Sequence, residues 1–164
     1  MDLYVDIDRC IYCHACEVAC ERVHGESRIS VGGVEHRASV PVLCHHCDPA
    51  PCSAVCPEGG LVQGESAVTF EAEKCTGCGL CTIACPFGAA YLGEAGGIQK
   101  CDLCPEMEVP ACVLTCPAEA LVWGDGEERA GMVRRRAAGR VAQSYADAAG
   151  RDRISTPQGG VGYE

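Results

Sequence analysis

The chain reads as a small α+β protein in which short β-hairpins and short helical turns surround clusters of cysteine, with a separate helix near the C-terminus. Three observations predict this. The 164 residues hold 16 cysteines against 2 Phe and 1 Trp, so ordinary packing would give a thin core and the cysteines must help to hold the chain together. Those cysteines fall into four groups of four with none left over. After the last cysteine of groups two, three and four, small residues lead into a short β-prone stretch and then a glycine, which predicts hairpins rather than long sheets.

Taken in order, Cys10, Cys13, Cys16 and Cys20 are spaced C-x2-C-x2-C-x3-C. Cys44, Cys47, Cys52 and Cys56 follow as C-x2-C-x4-C-x3-C-P, ending at Pro57. Cys75, Cys78, Cys81 and Cys85 return to C-x2-C-x2-C-x3-C-P, with Pro86. Cys101, Cys104, Cys112 and Cys116 give C-x2-C-x7-C-x3-C-P, with Pro117. Each x3 spacing predicts a helical turn. The β-prone stretches are 61–63, 90–92 and 121–123, closed by Gly64, Gly93 and Gly124, and residues 61–70 read as one complete hairpin. Residues 127–149 are rich in Ala and Arg and predict a helix, weakened by Gly131 and Gly139 and carrying a sparse apolar set of Met132, Val133, Val141 and Tyr145. Residues 155–164, with Pro157 and three glycines, predict an extended tail.

The spacing points to iron–sulfur chemistry. A cube presents four irons, and a C-x2-C-x2-C loop turns three thiolates onto three of them. In the bacterial run C-x2-C-x2-C-x3-C-P the fourth cysteine serves the other cluster of a pair. Structural zinc, the rival, is usually held by two separated C-x2-C pairs, which three consecutive cysteines at x2 spacing suit poorly. Disulfides fit less well, because residues 1–6 lack the basic and apolar regions of a secretory signal. A cytoplasmic chain without a membrane span is therefore expected.

Here the motifs resemble a known family. Cys10-Ile-Tyr-Cys-His-Ala-Cys-Glu-Val-Ala-Cys20, Cys44-His-His-Cys-Asp-Pro-Ala-Pro-Cys-Ser-Ala-Val-Cys-Pro57, Cys75-Thr-Gly-Cys-Gly-Leu-Cys-Thr-Ile-Ala-Cys-Pro86 and Lys100-Cys-Asp-Leu-Cys104 with Pro110-Ala-Cys-Val-Leu-Thr-Cys-Pro117 are similar to the motifs of four-cluster iron–sulfur subunits of the dimethyl sulfoxide reductase and formate dehydrogenase type. The resemblance covers about residues 1–123. It implies four [4Fe–4S] clusters in two ferredoxin-like modules, residues 41–94 inserted into an outer module of 1–40 plus 95–123, followed by an extension over 124–164. It also implies a ligand exchange: Cys10, Cys13 and Cys16 with Cys116; Cys101, Cys104 and Cys112 with Cys20; Cys44, Cys47 and Cys52 with Cys85; Cys75, Cys78 and Cys81 with Cys56. Two departures stand out: a short loop from Pro105 to Ala111, and no long insertions or membrane-anchor tail. The first implies a different environment for the cube of the fourth group, and the second brings the chain nearer to the small polyferredoxin-like subunits of carbon monoxide dehydrogenase, hydrogenase and tungsten-dependent aldehyde oxidoreductase systems, the last being preferred.

The implied role is a non-catalytic electron-transfer subunit, relaying electrons between a tungsten or molybdenum pterin subunit and another redox centre such as a flavin subunit. The alternatives are a free-standing polyferredoxin and a self-associating, electron-conducting filament subunit. No nucleotide-binding or catalytic constellation is visible. Net charge is −10, and residues 1–123 carry 17 acidic and 6 basic side chains, which argues against nucleic acid as a partner. His14, His45 and His46 lie in cluster loops and are expected to adjust hydrogen bonding or face water, while Ile11 and Tyr12 are expected to shield the first cube. Arg134, Arg135 and Arg136 form either a solvated face or a docking element.

Overall fold

The third cysteine of each group lies in the first turn of a helix, and the proline after the fourth decides how far that helix runs. The computed structural model describes residues 2–34, 38–94 and 96–155. Helix α1 (Ala15–His24) carries Cys16 and Cys20; with no proline after Cys20 it runs for 10 residues, until Gly25 turns left-handed and donates its N–H to the Glu21 carbonyl at 2.7 Å. The other three cysteine-bearing helices last 4 or 5 residues: α2 (Pro51–Ala54), α3 (Leu80–Ala84) and α4 (Ala111–Thr115). Proline disfavours helical backbone in the residue before it. Cys85 and Cys116 accordingly cap α3 and α4 in extended conformation, with ψ of 113° and 106°.

Among the described residues the strands form four separate two-stranded sheets. Strand β1 (Asp2–Val5) pairs with β8 (Leu121–Gly124), joining the N-terminus to the segment after the fourth group. Strands β2 (Ser30–Val34) and β3 (Ala38–Val42) pair antiparallel, with Gly32 opposite Val40. The hairpin expected over 61–70 is present as β4 (Leu61–Gln63) and β5 (Val68–Phe70), with Leu61 opposite Phe70. Strands β6 (Tyr91–Leu92) and β7 (Ile98–Gln99) form the last pair. The stretches over 61–63 and 90–92 form hairpins as expected, whereas 121–123 does not turn back at Gly124: it continues through Gly124 as β8 and takes the N-terminal strand β1 as its partner.

Two apolar clusters fill the space behind the cysteines. One gathers Ile29, Val31, Leu43 and Leu121 with Cys16, Cys20 and Cys112, and β1 adds Leu3 and Val5. The other gathers Ala50, Leu61, Val68, Ala90 and Ile98 with Cys52 and Cys81. Helix α1 packs against α4, and α2 against α3.

Asp2–Trp123 is one compact unit, and a second begins at Gly124. The second is helix α5 (Gly126–Ser155), which starts one residue earlier and ends six later than the sequence predicts. Asp125 is the reason it starts cleanly: its carboxylate accepts the N–H groups of Glu127 and Glu128 at 2.9 Å each, and Glu128 accepts the Asp125 N–H in return at 3.1 Å. This reciprocal cap, with an Ala- and Arg-rich sequence, outweighs Gly131 and Gly139. Beyond Ser155 the expected tail lies outside the described residues. No helix among the described residues is long and apolar enough to cross a membrane.

Leu43 is 1% exposed at the centre of the first cluster, whereas Ile83 is 84% exposed. Leu43→Ala should cost about 2–5 kcal/mol and lower the thermal midpoint of the loaded protein, while Ile83→Ala should leave it in place. Equal midpoints for the two variants would contradict this packing.

Candidate metal centre

In every group the second residue between the first two cysteines is left-handed: Tyr12 (φ 59°), His46 (φ 46°), Gly77 (φ 71°) and Leu103 (φ 66°). For a residue other than glycine that conformation costs about 1–2 kcal/mol, yet three of the four positions are not glycine. The turn it makes aims backbone N–H groups at a concave face, a nest suited to negative charge. The N–H groups of His46 and Leu103 donate to the sulfurs of Cys44 and Cys101, each at 3.4 Å.

A second turn repeats after each Cys-Pro. Gly59, Gly88 and Glu119 are left-handed at 65°, 64° and 49°. The next residue then donates its N–H to the sulfur four residues back: Gly60 to Cys56 at 3.2 Å, Ala89 to Cys85 at 3.4 Å, Ala120 to Cys116 at 3.2 Å. Group one lacks the proline and this turn, and there the Arg28 N–H serves Cys20 from the loop after α1, at 3.2 Å.

Three cavities are each lined by four of the cysteines. Cys10, Cys13, Cys16 and Cys116 line one. Cys20, Cys101, Cys104 and Cys112 line the second, and Cys56, Cys75, Cys78 and Cys81 the third. In each, three cysteines come from one group and the fourth from another. The remaining four stand in mutual electrostatic range: Cys85 and Cys47 act on Cys44, and Cys44 and Cys85 act on Cys52. Local bonds bring the groups together. The Asp6 N–H donates to the Ala120 carbonyl at 2.7 Å, and Arg9 pairs with Glu119 at 2.7 Å, tying the approach to group one onto the end of group four. A Cβ on Gly60 would sit 3.5 Å from the Cys75 nitrogen, so glycine lets the end of group two approach the start of group three.

Burial pushes the thiols up: Cys16 to about 11, Cys101 and Cys112 to about 12, with Cys20, Cys44, Cys52 and Cys81 moved the same way. Cys56 is drawn down instead, first by the Leu61 N–H. Buried thiolates facing one another need a cationic core to exist. Converging thiols with backbone N–H donors aimed at sulfur are a donor set that fits an iron–sulfur cluster.

The histidines of the loops have other contacts. The His14 imidazole meets the Glu17 carboxylate at 2.6 Å, and His45 stacks on Phe87 with centroids 4.0 Å apart. His46 accepts the Val68 N–H at 3.0 Å, and burial lowers it to about 4, so it is neutral at pH 7. Ile11 lines the first cavity but is 64% exposed, and the Tyr12 ring lies 3.5 Å from where a Gly33 Cβ would be. Sequence reasoning missed His24, whose Nε2 lies 3.4 Å from the Cys104 sulfur and 3.6 Å from Asp102. It is four residues beyond Cys20 on α1, and this spacing becomes a signal only once the helix is known to run past that cysteine. Asp102 also pairs with Arg28 at 2.5 Å. Against the cost of burial, the Cys104 N–H and then the Arg28 charge hold its carboxyl below the usual range.

Residues 36–126 match a family model described as a 4Fe-4S dicluster domain. The formate dehydrogenase iron-sulfur subunit of Wolinella succinogenes is 34% identical over 170 residues, covering 81% of this chain and 85% of that one. The thiosulfate reductase electron transfer subunit PhsB of Salmonella typhi is 36% identical over 143 residues, covering 75% and 74%. The "Putative oxidoreductase UacF" of Escherichia coli is 41% identical over 125 residues, 68% of this chain but 19% of that protein. This chain therefore spans only about a fifth of the length of that longer relative.

At Gly88 a Cβ would meet nothing within 4 Å, so only the left-handed backbone resists substitution there. Gly88→Val should lower the unfolding midpoint by about 2–8 °C, and Gly88→Asn by less. A Val variant as stable as the parent would show that the turn behind Cys85 does not need its conformation.

Proposed function

The chain belongs to the 4Fe-4S dicluster domain family, and from that premise we propose that it is an electron-transfer subunit holding four [4Fe–4S] clusters between a catalytic subunit and a second redox centre. One observation carries the proposal: three cavities, each lined by four thiols drawn three and one from two groups. Each cluster, when bound, takes up and releases one electron. The role of subunit is supported by the relatives, which are named as iron–sulfur or electron-transfer subunits of formate dehydrogenase and thiosulfate reductase. A tungsten or molybdenum pterin in the catalytic partner, and a flavin subunit as the second centre, are what the family resemblance implies.

The ligand sets we assign are Cys10, Cys13, Cys16 with Cys116; Cys20 with Cys101, Cys104, Cys112; Cys44, Cys47, Cys52 with Cys85; and Cys56 with Cys75, Cys78, Cys81. The pairing of α1 with α4 and of α2 with α3 supports two modules, residues 41–94 inserted between 1–40 and 95–123. The two apolar clusters divide along the same lines.

The sets also have an order. Cys112 feels the charge of Cys16, Cys101 that of Cys44, and Cys81 that of Cys52. This supports a row that runs from the Cys116 set through the Cys112 set and the Cys85 set to the Cys56 set. The two exposed cysteines, Cys13 and Cys78, belong to the two end sets. They mark the ends at which partners dock.

A potentiometric titration of the anaerobically purified protein, followed by EPR, should show about four one-electron reductions per chain with magnetically interacting signals. Two or fewer would overturn the assignment. Isolation with a large catalytic subunit is expected of a subunit, and isolation alone would favour a free-standing carrier.

A further inference from the structure

Lys100 is 4% exposed, and the ion pairs among the described residues give it no carboxylate. Its Nζ donates to the carbonyl of Cys101 at 2.8 Å. A buried ammonium with one neutral acceptor is costly unless opposite charge compensates it. Cys44 and Cys52 of the inserted segment feel its charge, as does His46, which is neutral. Asp102 lies two residues further on and is committed to Arg28, with His24 beside it. Lys100 therefore stands where the second and third ligand sets meet, next in the chain to a thiol of one and within electrostatic range of two thiols of the other.

We propose that the negative charge of the two inner clusters is the counter-ion of Lys100, and that Lys100 in turn raises the reduction potentials of those two clusters above what their thiolates alone would give. This inference rests on the four-cluster reading. Reduction adds negative charge to a site that is already anionic. A fixed cation stabilises the reduced form, and a dry interior strengthens and does not screen the effect. Two neighbouring anionic sites would otherwise repel added charge most strongly where the modules join. Lys100 acts through the field of its ammonium group and binds no cluster, so it is a tuning residue at the junction.

The test compares the loaded parent protein with Lys100→Met and Lys100→Arg by iron content and EPR-monitored potentiometry. In the Met variant two of the four midpoints should move to more negative values, about tenfold in the reduction equilibrium or about 59 mV for one electron, while the other two stay. The Arg variant should restore the parent values. Full iron content with four unmoved midpoints in the Met variant would overturn the proposal, as would equal movement of all four. If the Met variant does not load, Lys100→Gln is titrated in its place. Failure of both neutral variants while Arg loads supports a required counter-charge. Failure of Arg as well would assign the position to shape and overturn the proposal. A parent protein with fewer than four clusters would sink the underlying reading instead.

Discussion

Sulfurs spaced two residues apart converge on one point only if the backbone between them turns the wrong way round for L-residues. The structure meets that constraint four times, at Tyr12, His46, Gly77 and Leu103, and glycine relieves the strain at only one of them. The rest of each site depends on these turns. They aim N–H groups inward, leave the third cysteine at the start of a helix, and place the fourth one turn further on. A sequence that accepts strain at so many non-glycine positions must recover it from what the loop encloses.

Folding and cofactor binding are coupled for the same reason. The apolar clusters behind the cysteines are small and include cysteines themselves. Several thiols sit where burial alone would keep them protonated. A metal core that takes thiolates converts that unfavourable burial into binding free energy, so the stability of this chain is in large part the stability of its loaded sites. Lys100 is the same problem with the opposite sign: a buried cation in a region built for anions.

Much of the site is legible in the sequence because cysteine spacing is a local code. The four groups and the hairpin over 61–70 can be read without tertiary information. Helix α5 is legible in outline, but its start is set by the Asp125–Glu128 cap, which composition does not reveal. The left-handed state of Tyr12 and Leu103 has no signal in residue type, since nothing marks either as a turn former. His24 and Lys100 are invisible for a different reason. Their meaning lies in which distant thiols they face, and that depends on helix length and on how one segment packs against another.

The most direct test of the account is the iron and acid-labile sulfide content of the anaerobically purified chain. About sixteen of each per chain, as four cubane clusters require, is the expected result. Zinc without sulfide would contradict it and would make the chain a structural metal protein with no electron to carry.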